Sequence, residues 1–382
     1  MSRLSRIDVN LATTLVLGVL RWQLSLDALM QPLLRRPDLT LPTQVSTALR
    51  MGAFQLLYLD RIPPHAALNE SVELVRSAGH GHAAGMVNAI LRKIQRQEVK
   101  KPKLYETPSA LAERLSHPDW LVARWIKNYG RSKTVSICEY DQSEPEEKSL
   151  FSEDESDSEL PHMDDGSRLV AELASVSHAE PMRIWDCCAA PGGKTLILAH
   201  RHPEAKILAT DINPARVDAL RGRLLDKAPK VRTVLSDATT LPASEGPFDL
   251  ILCDVPCSGT GTLSRNPEIK YRIQPSDLSR QSKRQTEILE AALSRLAPGG
   301  RLLYSTCSLE PEENEHVVAK VLEGKLGSLK LISVKPMLEN LMPRFSKPLQ
   351  AEEIVLGEYL RTIPGNNFRG DGFFAAVFET PK

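Results

Sequence analysis

The chain carries no net charge, no Cys-x-x-Cys pair, no apolar run long enough for a bilayer, and neither a Gly-x-Gly-x-x-Gly turn nor a Walker phosphate loop. Each absence removes a class. The balance of 48 Lys/Arg against 48 Asp/Glu argues, taken as an average, against a polyanionic partner. Six cysteines without Cys-x-x-Cys spacing exclude a disulfide scaffold and a structural zinc site, so no metal is expected and the thiols should be reduced, as in the cytoplasm. The longest apolar stretch, Leu11–Leu20, is too short to cross a membrane and is not followed by a small-x-small cleavage site. It reads as a buried helix. A hydrophobic fraction of 42% and a charged fraction of 25% are those of a globular protein, and 382 residues suggest two or three domains.

The charge average conceals a segregation. Residues 1–135 hold 19 Lys/Arg against 10 Asp/Glu, whereas residues 136–165 hold one Lys, Lys148, against 12 acids. A basic N-terminal third is a candidate for phosphate contact. It also reads as helical: Leu11, Leu15, Val16, Val19 and Leu20, then Leu49, Ala53, Leu56 and Leu57, recur at helical spacing. The acidic, Ser- and Pro-containing stretch that follows has the composition of a solvated linker. From Arg183 onward, short apolar runs ending in Asp or Cys alternate with helical patterns, which predicts an open parallel sheet covered by helices. The late segments 329–334 and 373–379 are expected to add an antiparallel edge.

Ligands of such sheets lie beyond the carboxyl ends of the strands, where this chain places Cys187, Cys188, Asp211, Asp237, Asp254 and Cys307. The first strand runs into DCCAAPGGKT (186–195), whose Gly192-Gly193 allows a tight turn at a helix N-terminus. Asp211, 18 residues after Gly193, suits ribose hydroxyls, and Asp237 could take an adenine amino group. An adenosine cofactor without a phosphate loop points away from NAD and ATP, toward S-adenosylmethionine. Cys187 and Cys253 read as small buried hydrophobes. Cys257 in DVPCSGTG and Cys307 in YSTCSLEPEENE differ, because they fall in loops at the ligand edge, and a helix start after Cys307 would favour a thiolate. A thiolate that adds to carbon 6 of a pyrimidine makes carbon 5 nucleophilic toward a methyl donor. Asp254 and Lys194 could hold or polarise the ring.

These motifs, in this order and with the terminal DGFFAAVFE, resemble those of the RsmB/Nop2/NSUN RNA (cytosine-5)-methyltransferases. The resemblance implies that Cys307 is the nucleophile and that Cys257 assists product release. It implies that Cys188, Ala189, Ala190, Pro191, Gly192, Gly193 and Lys194, with Asp211, Asp237 and Asp254, bind S-adenosylmethionine, and that Lys194 and Asp254 contact the cytosine. Residues 48–76 and 85–96 resemble the NusB-like domain of bacterial RsmB, and 115–130 its connector. The expected architecture is an all-α NusB-like domain (1–100, short at its N-terminal end), a helical connector (101–135), an acidic linker replacing most of an RRM-like subdomain (136–161), and a Rossmann-like class I methyltransferase domain (162–382). In residues 162–173 Met163 stands where relatives have Gln. The implied partner is ribosomal RNA, most simply the small-subunit RNA, acted on by a cytoplasmic monomer. The alternative is an RNA-binding relative that has lost turnover together with its recognition subdomain. A Rossmann-like enzyme acting on proteins or small molecules would leave the paired cysteines unexplained.

Overall fold

The computed structural model describes residues 5–36, 40–96, 107–145, 149–152, 160–178, 180–324, 329–347, 349 and 351–382. They fall into two compact units, one formed by residues 1–144 with 266–271 and the other by the remainder from 145.

The first unit is helical: α1 (Arg6–Met30), α2 (Thr43–Tyr58), α3 (Pro64–Ser77), α4 (Ala84–Ile94), α5 (Pro108–Arg114), α6 (Asp119–Tyr129) and α7 (Arg131–Gln142). Its core gathers Leu26, Leu49, Ala53, Val75, Val87 and Leu91 from the inner stripes of α1 to α4, as amphipathic periodicity demands. The apolar stretch 11–20 is not a buried helix. It lies within the 25-residue α1, where Leu15 and Val19 turn toward the core while Val9, Leu11 and Val16 are exposed. By length and composition alone Arg6–Leu33 would suffice to cross a membrane; Trp22, Leu26 and Met30 instead line the core of this unit. Residues 266–271 belong here as well, through buried Lys270, whose Nζ donates to the carbonyls of Arg21 and Ser116 at 2.8 Å each.

The segment expected to be an acidic linker is more structured than its composition suggests. Residues 136–142 complete α7, with Ile137, Cys138 and Asp141 buried. Phe151 is buried and stacks edge-on against Phe345, while the amide of Leu150 donates to Asp165. Residues 153–159 lie outside the described residues.

The second unit opens with α8 (Asp165–Ser177) and then alternates: β1 (Arg183–Asp186), α9 (Gly193–Arg201), β2 (Lys206–Asp211), α10 (Pro214–Leu224), β3 (Arg232–Leu235), β4 (Phe248–Asp254), α11 (Ile269–Arg272, whose residues 269–271 belong to the first unit), α12 (Pro275–Leu293), β5 (Leu296–Thr306), α13 (Glu315–Glu323), β6 (Lys330–Ile332), α14 (Lys335–Leu341), β7 (Val355–Leu356), β8 (Tyr359–Arg361) and β9 (Phe374–Glu379). The strands form a nine-stranded sheet in the order β3-β2-β1-β4-β5-β9-β8-β7, with β6 also on β9. The first five are parallel and β9 runs antiparallel to β5. The expected pairing of 329–334 with 373–379 is present as β6 on β9.

Alternate residues of the central strands feed opposite faces. Ile184, Leu250, Leu252, Leu303 and Val377 join α8 and α14 on one side. Trp185, Ile251, Cys253, Leu302 and Phe378 join α12 and α13 on the other. Because both faces are buried, the strands read as continuous apolar runs, and only their ends are free to carry polar chemistry. Replacing Leu252, fully buried in the middle of β4, by Ala should cost about 2–5 kcal/mol. A loss under about 1 kcal/mol in urea unfolding would contradict a close-packed core at this position.

Candidate active site

The carboxyl ends of β1 and β4 meet at one cleft, and the end of β5 lies beside it, where Ser305 bonds Asp254. After β1 the chain turns through Cys187–Gly192, and Gly192 has φ +98°, a left-handed conformation that only glycine adopts without strain. A Cβ there would also meet Leu220 Cδ1 at 2.7 Å. The cleft beside this turn has a volume of about 210 Å³ and is lined by Cys188, Ala189, Ala190, Pro191, Gly193, Lys194 and Asp254, which the motif had singled out. It is also lined by residues that sequence reasoning left out of the site: His162, Met163, Ser167, Asp186 and Arg223. Met163 reaches the turn directly, its Cε lying 3.2 Å from where a Gly193 Cβ would stand.

Asp211 ends β2 and Asp237 lies two residues beyond β3, and neither lines this cleft. Asp211 accepts from the Asn213 amide at 3.0 Å and faces Arg216 at 3.4 Å. Asp237 accepts from the Thr239 amide and hydroxyl, both at 2.9 Å, and from Arg284 at 3.2 Å. Burial opposes the charge of Asp237, but these donors outweigh it and lower its pKa.

Across the cleft Lys194 Nζ pairs with Asp254 Oδ2 at 2.7 Å, and Ser305 donates to Asp254 Oδ1 at 2.7 Å. Burial works against the Lys194 ammonium, yet the adjacent Asp254 more than compensates and raises its pKa. The Lys194 ammonium also stands 5.4 Å over the Phe373 ring, a cation–π contact. Beyond this pair the two loop cysteines meet, Cys257 Sγ to Cys307 Sγ at 3.3 Å. Both are free thiols and half-buried. Cys187 and Cys253 are buried within the core, as small hydrophobes would be.

Backbone contacts lock the loops together. The Gly261 amide donates to the Cys307 carbonyl at 2.9 Å, and the Gly372 amide donates to the Gly261 carbonyl at 2.7 Å. A Cβ on Gly261 would stand 2.3 Å from the Gly372 oxygen, so the DGFF segment can approach only a glycine.

Asp186 is buried at the floor of the cleft. Thr195 donates to its Oδ2 at 2.7 Å, while Oδ1 has no hydrogen-bond partner. Burial pushes its pKa up to about 7, with the nearby Asp254 adding to the effect against the Thr195 hydrogen bond.

A parallel sheet of this order with a cleft at its carboxyl edge defines a Rossmann-like fold, and comparison with known proteins identifies it as that of a methyltransferase. The profile of the 16S rRNA methyltransferase RsmB/F family matches residues 174–379, and that of the NusB family matches residues 1–96. The chain is 29% identical to the probable ribosomal RNA small subunit methyltransferase B of Bacillus subtilis, over 98% of this chain and 91% of that protein. It is 33% identical to the ribosomal RNA small subunit methyltransferase B of Salmonella arizonae, over 83% of this chain and 82% of that one. The crystal structure of PH0851 superposes with a TM-score of 0.75 at 22% identity, covering 99% of this chain and 92% of its own, which speaks to the fold alone. A methyltransferase homolog from Pyrococcus horikoshii gives 0.54 at 22% identity, over 72% and 100%. The protein belongs to the RsmB/F family of ribosomal RNA methyltransferases, with a NusB-family region at its N-terminal end.

The raised pKa of Asp186 has a thermodynamic consequence. Its folded form keeps the proton up to about pH 7, whereas the unfolded form gives it up near 3.8. Its contribution to stability is therefore fully present below pH 3.8 and is lost as pH rises toward 7. Asp186→Asn should gain stability relative to the wild type at pH 8 and show a smaller advantage at pH 5. Unfolding of both proteins at the two pH values checks this, and an advantage independent of pH would contradict the raised value.

Proposed function

We propose that this protein transfers a methyl group to carbon 5 of a cytosine in small-subunit ribosomal RNA through a covalent adduct with Cys307. The observation that carries this reading is the contact of the Cys257 and Cys307 thiols at 3.3 Å, beside the Lys194–Asp254 pair and the cleft after β1. Two half-buried thiols in contact at one ligand edge are more than packing requires, and addition of a thiolate to carbon 6 is what makes carbon 5 of a pyrimidine nucleophilic.

The cleft suits S-adenosylmethionine in two respects. The glycine turn lets a ligand approach the backbone at a helix N-terminus, where a carboxylate is favoured. The unpartnered Asp186 oxygen offers an acceptor to an ammonium group. When bound there, S-adenosylmethionine supplies an electrophilic methyl group. Cys188 through Lys194 line the cofactor and Asp254 closes the cleft, while Asp211 and Asp237 on the adjoining strand ends are assigned to ribose and adenine.

In this mechanism Cys307 sulfur adds to carbon 6, forming a carbon–sulfur bond and moving the ring's π pair to carbon 5. Lys194 and Asp254 hold the ring edge during this addition. Carbon 5 would take up the methyl group as its bond to the sulfonium sulfur breaks, the bonding pair staying on the departing S-adenosylhomocysteine, and would then lose its proton to a base. The electron pair left behind reforms the double bond, the carbon–sulfur bond breaks, and the sulfur recovers its electrons. Cys257, touching Cys307, assists that release. The basic helical unit is read as the RNA-binding part, and residues 136–161 as standing in place of most of an RRM-like subdomain, in a cytoplasmic enzyme.

The test is transfer of tritium from labelled S-adenosylmethionine to 16S rRNA that lacks the modification. Label on a single cytosine is expected. Cys307→Ala should lower the rate by more than about a thousandfold, whereas Cys257→Ala should accumulate a denaturant-resistant RNA adduct visible as a shifted band. A fully active Cys307→Ala protein would remove the covalent mechanism.

A further inference from the structure

One carboxylate ties both cysteine loops together. Glu313, in the PEENE stretch after β5, is fully buried. Its Oε1 accepts from the Ser258 amide at 2.9 Å and from Gln285 Nε2 at 2.9 Å. Its Oε2 accepts from the hydroxyls of Ser258 and Ser308, whose oxygens lie 2.9 Å apart. Ser258 directly follows Cys257 and Ser308 directly follows Cys307. Gln285 extends the tie by donating to the Pro256 carbonyl at 3.0 Å, on the other side of Cys257.

All four donors are neutral. A buried carboxylate held by neutral groups is retained at a desolvation cost, and its charge is felt by whatever ionises nearby. Cys257 does so. The contact with Cys307, then burial, then the charges of Cys307 and Glu313 push the Cys257 thiol well up, against a weaker opposing hydrogen bond from Gly259. The titratable groups that face Cys257 are Cys307, Glu313 and Tyr304, and Lys194 acts on Cys307 from the cleft side. The geometry is asymmetric in the same sense: Glu313 takes both the amide and the hydroxyl of Ser258, next to Cys257, but only the hydroxyl of Ser308, next to Cys307, while the cation on the Cys307 side is Lys194, paired with Asp254.

Building on the covalent reading above, we infer that Glu313 is a positioning residue that holds Cys257 and Cys307 in contact and keeps the shared proton on Cys257, so that the negative charge resides on Cys307. Of two thiols in contact only one can be the anion cheaply, because two adjacent thiolates repel. The thiolate is the nucleophile, so the position of Glu313 decides which cysteine attacks. Its own carboxylate touches no reacting atom in this role.

Glu313→Gln tests the charge with little change of shape. The amide oxygen can still accept from Ser258 and Gln285, and the amide nitrogen can donate to hydroxyls that rotate to accept. Alkylation of each cysteine by iodoacetamide, followed by mass spectrometry across pH 6–10, reads thiolate character site by site. In the wild type, Cys307 should react first and Cys257 only at higher pH. In Glu313→Gln the Cys257 rate at pH 8 should rise by about tenfold, the effect of roughly one pKa unit. Its kcat should fall by about tenfold or more with KM for S-adenosylmethionine unchanged, and Glu313→Asp should recover the wild-type order of reaction. A Glu313→Gln protein whose thiols react as in the wild type would overturn the inference even if kcat fell, since that loss would be structural. If the variant does not fold, the wild-type order decides, and a Cys257 that reacts ahead of Cys307 overturns it. Because alkylation needs no RNA, failure of rRNA methylation would count against the reaction proposed above and leave this result standing.

Discussion

The burial of the central sheet on both faces is the constraint on which the rest of the molecule depends. Strands β1, β4 and β5 give alternate side chains to two separate cores, so a polar group within them would have to be desolvated without compensation. Polar chemistry is confined to the positions where strands end. Asp186 and Asp254 close two strands, and Cys257 and Cys307 lie just beyond β4 and β5. Parallel pairing brings all these ends to one edge. The cleft is thus a geometric consequence of the same packing that stabilises the domain.

At that edge, backbone carries much of the precision. Gly261 approaches Gly372 too closely for any side chain, and the amides of both donate into one chain of hydrogen bonds that ends on the Cys307 carbonyl. Side chains complete it. Arg265 stands between Asp164 and Asp371, at 3.2 and 3.4 Å, tying the start of α8 to the loop that bears Phe373. Phe373 in turn lies beneath the Lys194 ammonium. Loops far apart in sequence hold one another and do not rely on individual rigidity, which suits a site whose reacting atoms need placement within fractions of an ångström.

The alternation of strand and helix was legible because strands buried on both sides appear as unbroken apolar runs, and the turn residues at their ends are chemically conspicuous. Cys188 through Lys194, Asp254, Cys257 and Cys307 could be named for that reason. Other features had no local signature. Strands β7 and β8 span two and three residues, too few to display a period. Residues 136–142 have a linker's composition, yet Ile137, Cys138 and Asp141 are buried by neighbours that composition does not reveal. The apolar residues of α1 read as buried because periodicity shows that a stripe exists without showing how much of it is covered. Glu313 looked like a helix start, since its partners Ser258 and Gln285 stand 55 and 28 residues away. Arg223 and Met163 likewise enter the cleft only through the folded chain.

The position of β9 carries a consequence for the order in which the protein can be made. This strand is made after β1 to β8, yet it lies inside the sheet, between β5 and the pair β6 and β8. Phe373 and Gly372, just ahead of it, touch Lys194 and Gly261. While residues 370–379 remain within the ribosome, β5 has an open edge and the loop holding Cys307 lacks its support. The nascent chain therefore cannot complete this edge before residues 370–379 have emerged, and a chain that stops ahead of β9 leaves β5 with an unpaired edge.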